Sequence, residues 1–331
     1  MRARLDDLHS IGLVRDLPYY QLPASAWTDL RNITLKDNSA QRFRGYGRFL
    51  EDLSFTPLSL FPASSRQDET LIVAGQQEVW ALIGTDFVNI SREGDPYVAD
   101  SVLGWTGGSL GVVPVINNSF DVPQVWTRPG TTTQLEDLAG WPADVRARVV
   151  RPFKSFLVAY DISLSGERVP QMLWWSDITE PGEAPTNWDI ADPTNSAGRV
   201  ELAGTPDYIV DAHPLRDVNI IYKENSIWGM QFVGGNAIFR FYRITGDGGL
   251  ASQNCVAEMP RGHVALSSDD LFFVDGQNAQ SLIDKRIRSW LFSNIDPTWF
   301  QRCFVVSNWL ESEVWLVFPS VGSEFCDTAL V

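Results

Sequence analysis

From residue 70 to the end of the chain, short runs of apolar, β-branched and aromatic residues alternate with polar turns, and no helical period is sustained. Short runs of this kind between turn residues predict β-strands. The clearest predicted strands lie at 71–74, 79–83, 111–116, 156–160, 219–222, 227–233, 237–244, 271–274 and 314–318. The polar turns at 223–226, 275–276 and 311–313 predict hairpins. The pattern therefore predicts an all-β protein with few helices.

The leading predicted strands begin 40 to 63 residues apart. They begin near residues 71, 111, 156, 219, 271 and 314, and a propeller blade repeats about every 40 to 50 residues. Radial repetition leaves only short, protected sheet edges in a large β protein. We therefore predict an irregular β-propeller with degenerate blades, because the repeats share a pattern without a strict signature. A β-sandwich with long loops is the alternative fold.

Two stretches depart from the repeat. The N-terminal region predicts an extended arm, because its Leu-Pro steps disfavour helix. A second region is rich in proline, glycine and acids, yet its three tryptophans would bury too much apolar surface for a linker. The predicted organisation is an N-terminal arm and assembly segment at 1–69, first propeller blades at 70–160, a loop-rich insertion at 161–218 and further blades at 219–331. Asp296-Pro297 predicts the start of one short helix.

Composition narrows the function classes. Acidic residues outnumber basic ones 41 to 26, and the formal net charge is −15. Such a protein repels the phosphate backbone, which argues against a nucleic-acid-binding regulator or a packaging enzyme. Three scattered cysteines do not make a disulfide framework. We find no apolar run long enough for a membrane span and no signal peptide, and expect a soluble protein made in a reducing cytoplasm.

Motifs of catalysis and ligand binding are weak. The G-x-S-x-G pattern around Ser109 is followed by a strand-like run, whereas a nucleophile elbow requires a helix there. His9, His213 and His263 lack metal-ligand spacing. Gly246-Asp247-Gly248-Gly249 lacks the lysine of a phosphate loop. We therefore predict no catalytic residues, no metal and no cofactor.

The most informative stretch is residues 11–46, because of the order of its elements. In order, it contains Gly12, Asp16-Leu17-Pro18, Leu22-Pro23, Ala26-Trp27, Arg31-Asn32, a short strand, a polar turn at Lys36-Asp37-Asn38, and Arg42 with Gly45. This order resembles the start of the tail nozzle or tail hub proteins of short-tailed phages, also called tail tubular protein B or phage stabilisation protein.

The resemblance continues through the chain as an ordered set of short motifs. These are Asp121-Val122-Pro123-Gln124 with Trp126, Trp175-Ser176-Asp177, Asn187-Trp188-Asp189, Ala197-Gly198, Leu215-Arg216-Asp217, Ile221-Tyr222-Lys223-Glu224, Gly234-Gly235 and Asp269-Asp270. Relatives usually continue past the position of Val331, so this chain is either closed unusually or shorter than a typical relative.

The resemblance implies a structural virion protein without catalysis, located in the phage tail and assembled in the host cytoplasm. It implies a homo-hexameric ring below the head-to-tail adaptor, with a tail fibre or spike as a further possible partner. A central channel would pass the genome. Acidic channel walls would let DNA slide without stable binding.

Two groups of basic residues stand out in the acidic chain. We predict that the N-terminal group forms an assembly interface, because charged surfaces steer the docking of ring subunits. The predicted interface residues are Asp16, Leu17, Pro18, Trp27, Arg31, Lys36, Arg42, Arg44 and Arg48. The second group is Arg146, Arg148, Arg151 and Lys154, which we also expect at subunit or adaptor contacts.

An alternative function is a propeller that binds carbohydrate or hydrolyses surface polysaccharide as a glycosidase. It is suggested by the proximity in sequence of Trp174, Trp175, Asp177, Trp188, Asp189 and Asp192. Paired carboxylates can act as acid and base beside aromatic platforms. The opposing interpretation is that the tryptophans anchor a loop and the aspartates cap turns.

Overall fold

The computed structural model describes residues 10–36, 39–45, 47–48, 52–64 and 69–331. The chain divides into two compact units, one of Asp52–Gln253 and one that combines Met1–Glu51 with Asn254–Val331. The protein is nearly all-β, with 44% strand and 5% helix, as the alternating pattern predicts. Among the described residues, no helix has the length and apolar character needed to cross a bilayer.

Most strands belong to antiparallel sheets whose neighbours follow chain order. The N-terminal part adds a 3₁₀ turn at Tyr19–Gln21 and the hairpin β1 (Ile33–Lys36) and β2 (Ser39–Arg42). The first blade consists of β3 (Ser59–Ser64), β4 (Glu69–Ala74), β5 (Val79–Ile83) and β6 (Asp86–Asn89). The second consists of β7 (Thr106–Leu110), β8 (Val113–Asn117), β9 (Gln124–Val125) and β10 (Glu136–Asp137). The third consists of β11 (Val145–Phe153), β12 (Phe156–Leu164), β13 (Glu167–Trp175) and β14 (Gly198–Glu201).

The remaining blades follow the same rule. The fourth consists of β15 (Ile209–Leu215), β16 (Val218–Lys223), β17 (Ile227–Phe232) and β18 (Phe239–Thr245). The fifth consists of β19 (Val256–Met259), β20 (Gly262–Leu266), β21 (Leu271–Val274) and β22 (Ala279–Ser281). After the helix α1 (Arg288–Asn294) and a 3₁₀ turn at Phe300–Arg302, the sixth consists of β23 (Phe304–Asn308), β24 (Glu313–Phe318) and β25 (Thr328–Leu330). In the described part of the chain these meanders have the arrangement of a six-bladed β-propeller, which confirms the predicted fold class.

The third blade shows why these residues form strands and turns. Positions along the start of β11 alternate between buried and half-buried, as expected for a strand with one core face. The turn between β12 and β13 is Ser165-Gly166, with φ of 49° and 86°. Two consecutive positive φ angles are the mark of a type I′ turn, whose twist suits a two-residue hairpin. Lys154, with φ of 54°, takes the same left-handed conformation between β11 and β12.

Three clusters of buried residues lie in the unit Asp52–Gln253. Each cluster joins side chains from two successive blades, for example Ile72 with Trp126, Val115 with Leu157, and Phe156 with Ile221. Burying one large apolar side chain stabilises the fold by about 1.5–3 kcal/mol. The blades of this unit are therefore held together mainly by apolar packing.

The predicted loop-rich insertion is narrower than its boundaries suggest. The boundary after residue 160 falls inside β12, and the segment 161–218 contains all of β13, β14 and β15. The loop-rich part is 176–197, between β13 and β14, and Trp188 in it is only 3% exposed. Pro170 lies within β13. Because a proline normally argues against a regular strand, the sequence did not predict a strand at this position.

The predicted helix start at Asp296 is wrong, because no α-helix begins there. The Asp296 carboxylate accepts the N–H of Thr298 at 2.9 Å, and only a 3₁₀ turn follows at Phe300–Arg302. The α-helix, α1, lies before this point.

Candidate functional site

The predicted assembly segment begins with a closed loop of backbone. The Trp27 N–H donates to the Gly12 carbonyl at 3.0 Å, and the Val14 N–H donates to the Trp27 carbonyl at 2.8 Å. Val14 is 2% exposed, while Trp27 is half-buried. Trp27 therefore closes the arm through its main chain and leaves part of its surface accessible to solvent.

Asp16 caps helix α1 of the same unit. The N–H groups of Arg15 and Asp16 donate to the Arg286 carbonyl at 2.7 and 3.0 Å, which places the carboxylate at the first turn of the helix. Its two oxygens accept the N–H groups of Ser289 and Trp290 at 2.8 and 3.2 Å. Such N–H groups have no partner within a helix, and a carboxylate there also meets the positive end of the helix dipole. Asp16 therefore stabilises its own chain, and its part in assembly stays a prediction.

The Leu-Pro step after Asp16 leads to an exposed aromatic turn. Leu17 is half-buried and Pro18 is exposed. The 3₁₀ turn that follows exposes 86% of Tyr19 and 85% of Tyr20. Exposed tyrosines are enriched at protein interfaces, so this turn extends the predicted surface by two residues that the charge pattern did not indicate.

The basic residues of the arm gather partly around Glu311. Lys36 Nζ donates to the Glu311 carboxylate at 2.6 Å, and this hydrogen bond, with the charge of nearby Arg44, lowers the pKa of Glu311. Arg42, Arg44 and Arg48 are all exposed. The hairpin β1–β2 thus presents a basic edge that is partly neutralised within the unit.

Arg31 is a strongly exposed charge of the predicted interface. Its side chain is 85% exposed and lies 3.9 Å from the Asp29 carboxylate, which Arg15 also binds. The guanidinium of Arg15 in turn lies 5.0 Å above the Trp290 ring. Arg31 therefore keeps most of its donors for solvent or a partner.

The second basic group does not form a surface. Arg151 is buried and donates to both oxygens of the Asp211 carboxylate, at 2.8 and 2.6 Å, and to the Gly107 carbonyl at 2.9 Å. Burial raises the pKa of Asp211, but the charges of Arg151 and His213 outweigh it and hold the pKa far below its usual range. These bonds join the first strands of the second, third and fourth blades.

The expectation that all of this group lies at subunit contacts is wrong for Arg151, which is only 8% exposed and whose guanidinium is bonded to Asp211 and Gly107 within the chain. Lys154 pairs with Asp217 at 2.8 Å on the exposed end of a hairpin. Arg146 and Arg148 line a cleft. The four residues are close in sequence, but the alternation of side chains along β11 and the turn at Lys154 place them in the core, at a hairpin end and in a cleft.

The tryptophans behind the carbohydrate hypothesis lie in the core. Trp174 and Trp175 are each 8% exposed and Trp188 is 3% exposed. The ring N–H of Trp175 donates to the Ser196 carbonyl at 2.8 Å, and Trp188 packs edge-on against Trp141. None of these three rings offers an open stacking face.

The carboxylates of that hypothesis cap turns. Asp177, Asp189 and Asp192 each accept a backbone N–H from a residue one or two positions further along the chain, all at 2.8 Å. The bonds at Asp189 and Asp192, to the residue two positions on, are Asx turns, a common local use of aspartate. The residues that suggested sugar chemistry are thus engaged in holding the loop 176–197.

Ser109 lies within β7, opposite Pro114 of β8. A strand, not a helix, follows the serine, so the backbone lacks the strand-to-helix turn of a nucleophile elbow. In the described part of the chain, no group of three or more histidine, cysteine or acidic side chains is placed to hold a metal ion.

Several residues of the short motifs that resemble the nozzle family are buried in the fold. Gln124 and Ser176 are inaccessible to solvent, and the ring N–H of buried Trp126 donates to the Thr133 carbonyl at 3.0 Å. Asp270 is 4% exposed and pairs with Arg288 of α1. These motif residues therefore contribute to the architecture of the protein.

Lys223 is the clearest case of a motif residue that is buried in the fold. Its ammonium group is inaccessible to solvent, donates to the carbonyls of Leu202 and Thr205 at 3.1 and 2.8 Å, and lies 3.1 Å from the Asp207 carboxylate. Burial raises the pKa of Asp207, but hydrogen bonds from Thr205, Ser226 and Lys223 outweigh it and lower the pKa to about 2. The motif lysine thus ties the loop before the fourth blade to β16.

No protein-family model matches this sequence, and no curated protein matches it. Solved structures similar to the chain include an S. cerevisiae dbp5 complex with nup159, gle1, IP6 and ADP, at 9% identity and a TM-score of 0.43, with 76% of this chain and 70% of that chain covered. Human WBSCR16 is similar at 9% identity and a TM-score of 0.42, with coverages of 86% and 79%. BBS1N in complex with ARL6DN is similar at 12% identity and a TM-score of 0.35, with coverages of 72% and 68%. These similarities say nothing about function.

Proposed function

We propose that the protein is a structural subunit of a short-tailed phage tail, a nozzle protein that forms a ring below the head-to-tail adaptor. The observation that carries this proposal is the ordered set of motifs from Gly12 to Asp270 that resembles the nozzle family. Many of these motif residues, such as Trp126 and Lys223, are buried where they determine the blades.

The exposed part of the N-terminal arm supplies the proposed contact surface. Tyr19, Tyr20 and Arg31 leave most of their surface to solvent, while the backbone around them is fixed by bonds to Trp27 and Arg286. A surface held in place before binding loses less conformational entropy on association. This suits a subunit that docks on neighbouring copies, the adaptor and a fibre or spike.

The charge of the chain fits a conduit for DNA. Six copies of a chain with a net charge of −15 would carry a total of about −90. Acidic walls would repel the phosphate backbone, and at about 0.01 M ionic strength the repulsion reaches about 30 Å. We therefore expect no retention of duplex DNA at low salt. Tight, salt-sensitive binding that is lost on replacing Arg42, Arg44 and Arg48 with glutamate would contradict the conduit.

The proposal is tested by locating the protein in virions. Immunogold labelling of purified phage particles with an antibody against this chain should mark the tail below the head, and mass spectrometry of the same particles should detect the chain. Absence of the chain from purified, infectious particles would refute a structural role in the virion.

A further inference from the structure

A cleft of about 230 Å³ opens between the second and third blades of the unit Asp52–Gln253. On one side lies the loop after β8, with Ser119 and Phe120. On the other side lies the end of the third blade, with Arg146, Arg148 and Arg168. The concentration of arginines is unexpected in a chain with a net charge of −15.

Strand register places these arginines on one face. Arg146 of β11 lies directly opposite Ser163 of β12, and Ser163 lies directly opposite Arg168 of β13. Arg148 lies two residues beyond Arg146 on the same strand, so its side chain points to the same face. Neighbouring strands are about 4.8 Å apart, which puts the two outer arginines of the row about 10 Å apart across the serine.

The partners of the three guanidinium groups are unequal. Arg168 makes a two-pronged pair with the buried Asp161 carboxylate and lies over the Tyr208 ring. Arg146 donates to backbone carbonyls, including that of Phe120 at 2.9 Å. Among the described residues, the structure gives the Arg148 guanidinium no hydrogen bond and no ion pair, although Arg148 lines the cleft.

The cleft therefore has an excess of positive charge. Among the described lining residues the second acidic side chain is that of Asp100, which accepts the N–H groups of Val102 and Leu103 at 2.8 and 2.9 Å. With three guanidinium groups and two carboxylates, the described lining carries a net positive charge, which favours binding of an anion.

Backbone geometry on both sides is unusual. Asp161 has a φ of 53° at a break in the register between β12 and β13, and Ser119 has a φ of 74°. Non-glycine residues at such angles are strained, and bulges redirect side chains next to binding sites. Asp161 lies at this break and its carboxylate pairs with Arg168, so among the described residues Arg148 is the guanidinium of the cleft without a carboxylate partner.

We propose that this cleft binds a small molecule that carries a carboxylate or phosphate group. Arg148 and the remaining donors of Arg146 bind the oxyanion, because a guanidinium matches its geometry with two parallel hydrogen bonds. The Ser163 hydroxyl lies between the arginines and donates to the same group. Phe120, which is 57% exposed, covers the carbon skeleton. The volume of about 230 Å³ suits a ligand no larger than a monosaccharide.

The test measures binding of four probes by isothermal titration calorimetry: glucuronate, glucose 6-phosphate, inorganic phosphate and glucose. At least one anion should bind saturably and glucose should not. Binding of glucuronate alone would identify a carboxylate ligand. Binding of glucose 6-phosphate and inorganic phosphate, but not of glucuronate, would identify a phosphate ligand. Arg148→Gln should weaken binding at least about tenfold. Arg128→Gln, at an exposed arginine outside the cleft, is the matched control and should leave binding unchanged.

A second variant keeps the test decisive if Arg148→Gln does not fold. Ser163→Glu places a carboxylate in the middle of the arginine row, so it should abolish anion binding and raise the urea midpoint of unfolding. No saturable binding of any anion by the wild-type protein would overturn the proposal. Equal weakening by Arg148→Gln and Arg128→Gln, or anion binding that survives Ser163→Glu, would also overturn it.

Discussion

Removal of Arg151 is the perturbation with the largest expected effect on stability. In Arg151→Met, Asp211 keeps its place with no accessible surface and loses two charge-assisted hydrogen bonds, of 2.8 and 2.6 Å, while the Gly107 carbonyl loses one of 2.9 Å. Breaking a buried ion pair by removing one partner costs about 3–5 kcal/mol, because the remaining charge stays buried without a compensating partner. His213, 3.3 Å from Asp211, compensates only in part.

The assay is urea unfolding followed by tryptophan fluorescence. Arg151→Met should lower the free energy of unfolding by about 3–5 kcal/mol. The double variant Arg151→Met with Asp211→Asn removes both charges and should be more stable than the single variant. Lys154→Met is the matched control, since its pair with Asp217 lies in solvent, where an ion pair contributes little to stability. A loss below about 1 kcal/mol in Arg151→Met, or a double variant less stable than the single one, would refute the reasoning.

Three further outcomes are expected. Asp16→Ala should lower the free energy of unfolding by about 1 kcal/mol, because α1 loses its cap, and an unchanged urea midpoint would show that the cap is dispensable. The pKa of Asp207 is about 2 in the folded protein and about 3.9 in the unfolded chain, so its stabilising contribution is complete above the unfolded value and is lost as the pH falls towards 2. In Asp207→Asn the urea midpoint of unfolding should therefore depend less steeply on pH below about pH 4 than in the wild-type protein. An unaltered slope would contradict this. Trp27→Ala should impair ring assembly more than it lowers the melting temperature, whereas a destabilised variant that still assembles normally at low temperature would place Trp27 in the protein's own core.

The sequence predicted the blades well because their strands are locally encoded. The predicted strands at 79–83 and 271–274 match β5 and β21, and the hairpin around 223–226 matches the pairing of Tyr222 with Ile227. In these regions the alternation of side chains and the turn residues point to the same structure, so no distant contact is needed to decide it.

Features that depend on distant contacts were missed. Helix α1 has seven residues and no capping side chain nearby in sequence, and its cap comes from Asp16 at the other end of the chain. From the sequence Arg151 was predicted to be an exposed charge, because its partner Asp211 lies 60 residues away along the chain. The excess charge in the cleft became visible only when strand register aligned Arg146, Ser163 and Arg168.

The central claim is that copies of this chain assemble into a ring, and electron microscopy of the purified full-length protein tests it most directly. The account predicts six-fold class averages with a central hole wide enough for duplex DNA. The Trp27→Ala protein, imaged at the same concentration, should show fewer rings. Particles that remain single propellers at all concentrations, with and without a purified head-to-tail adaptor, would contradict the account.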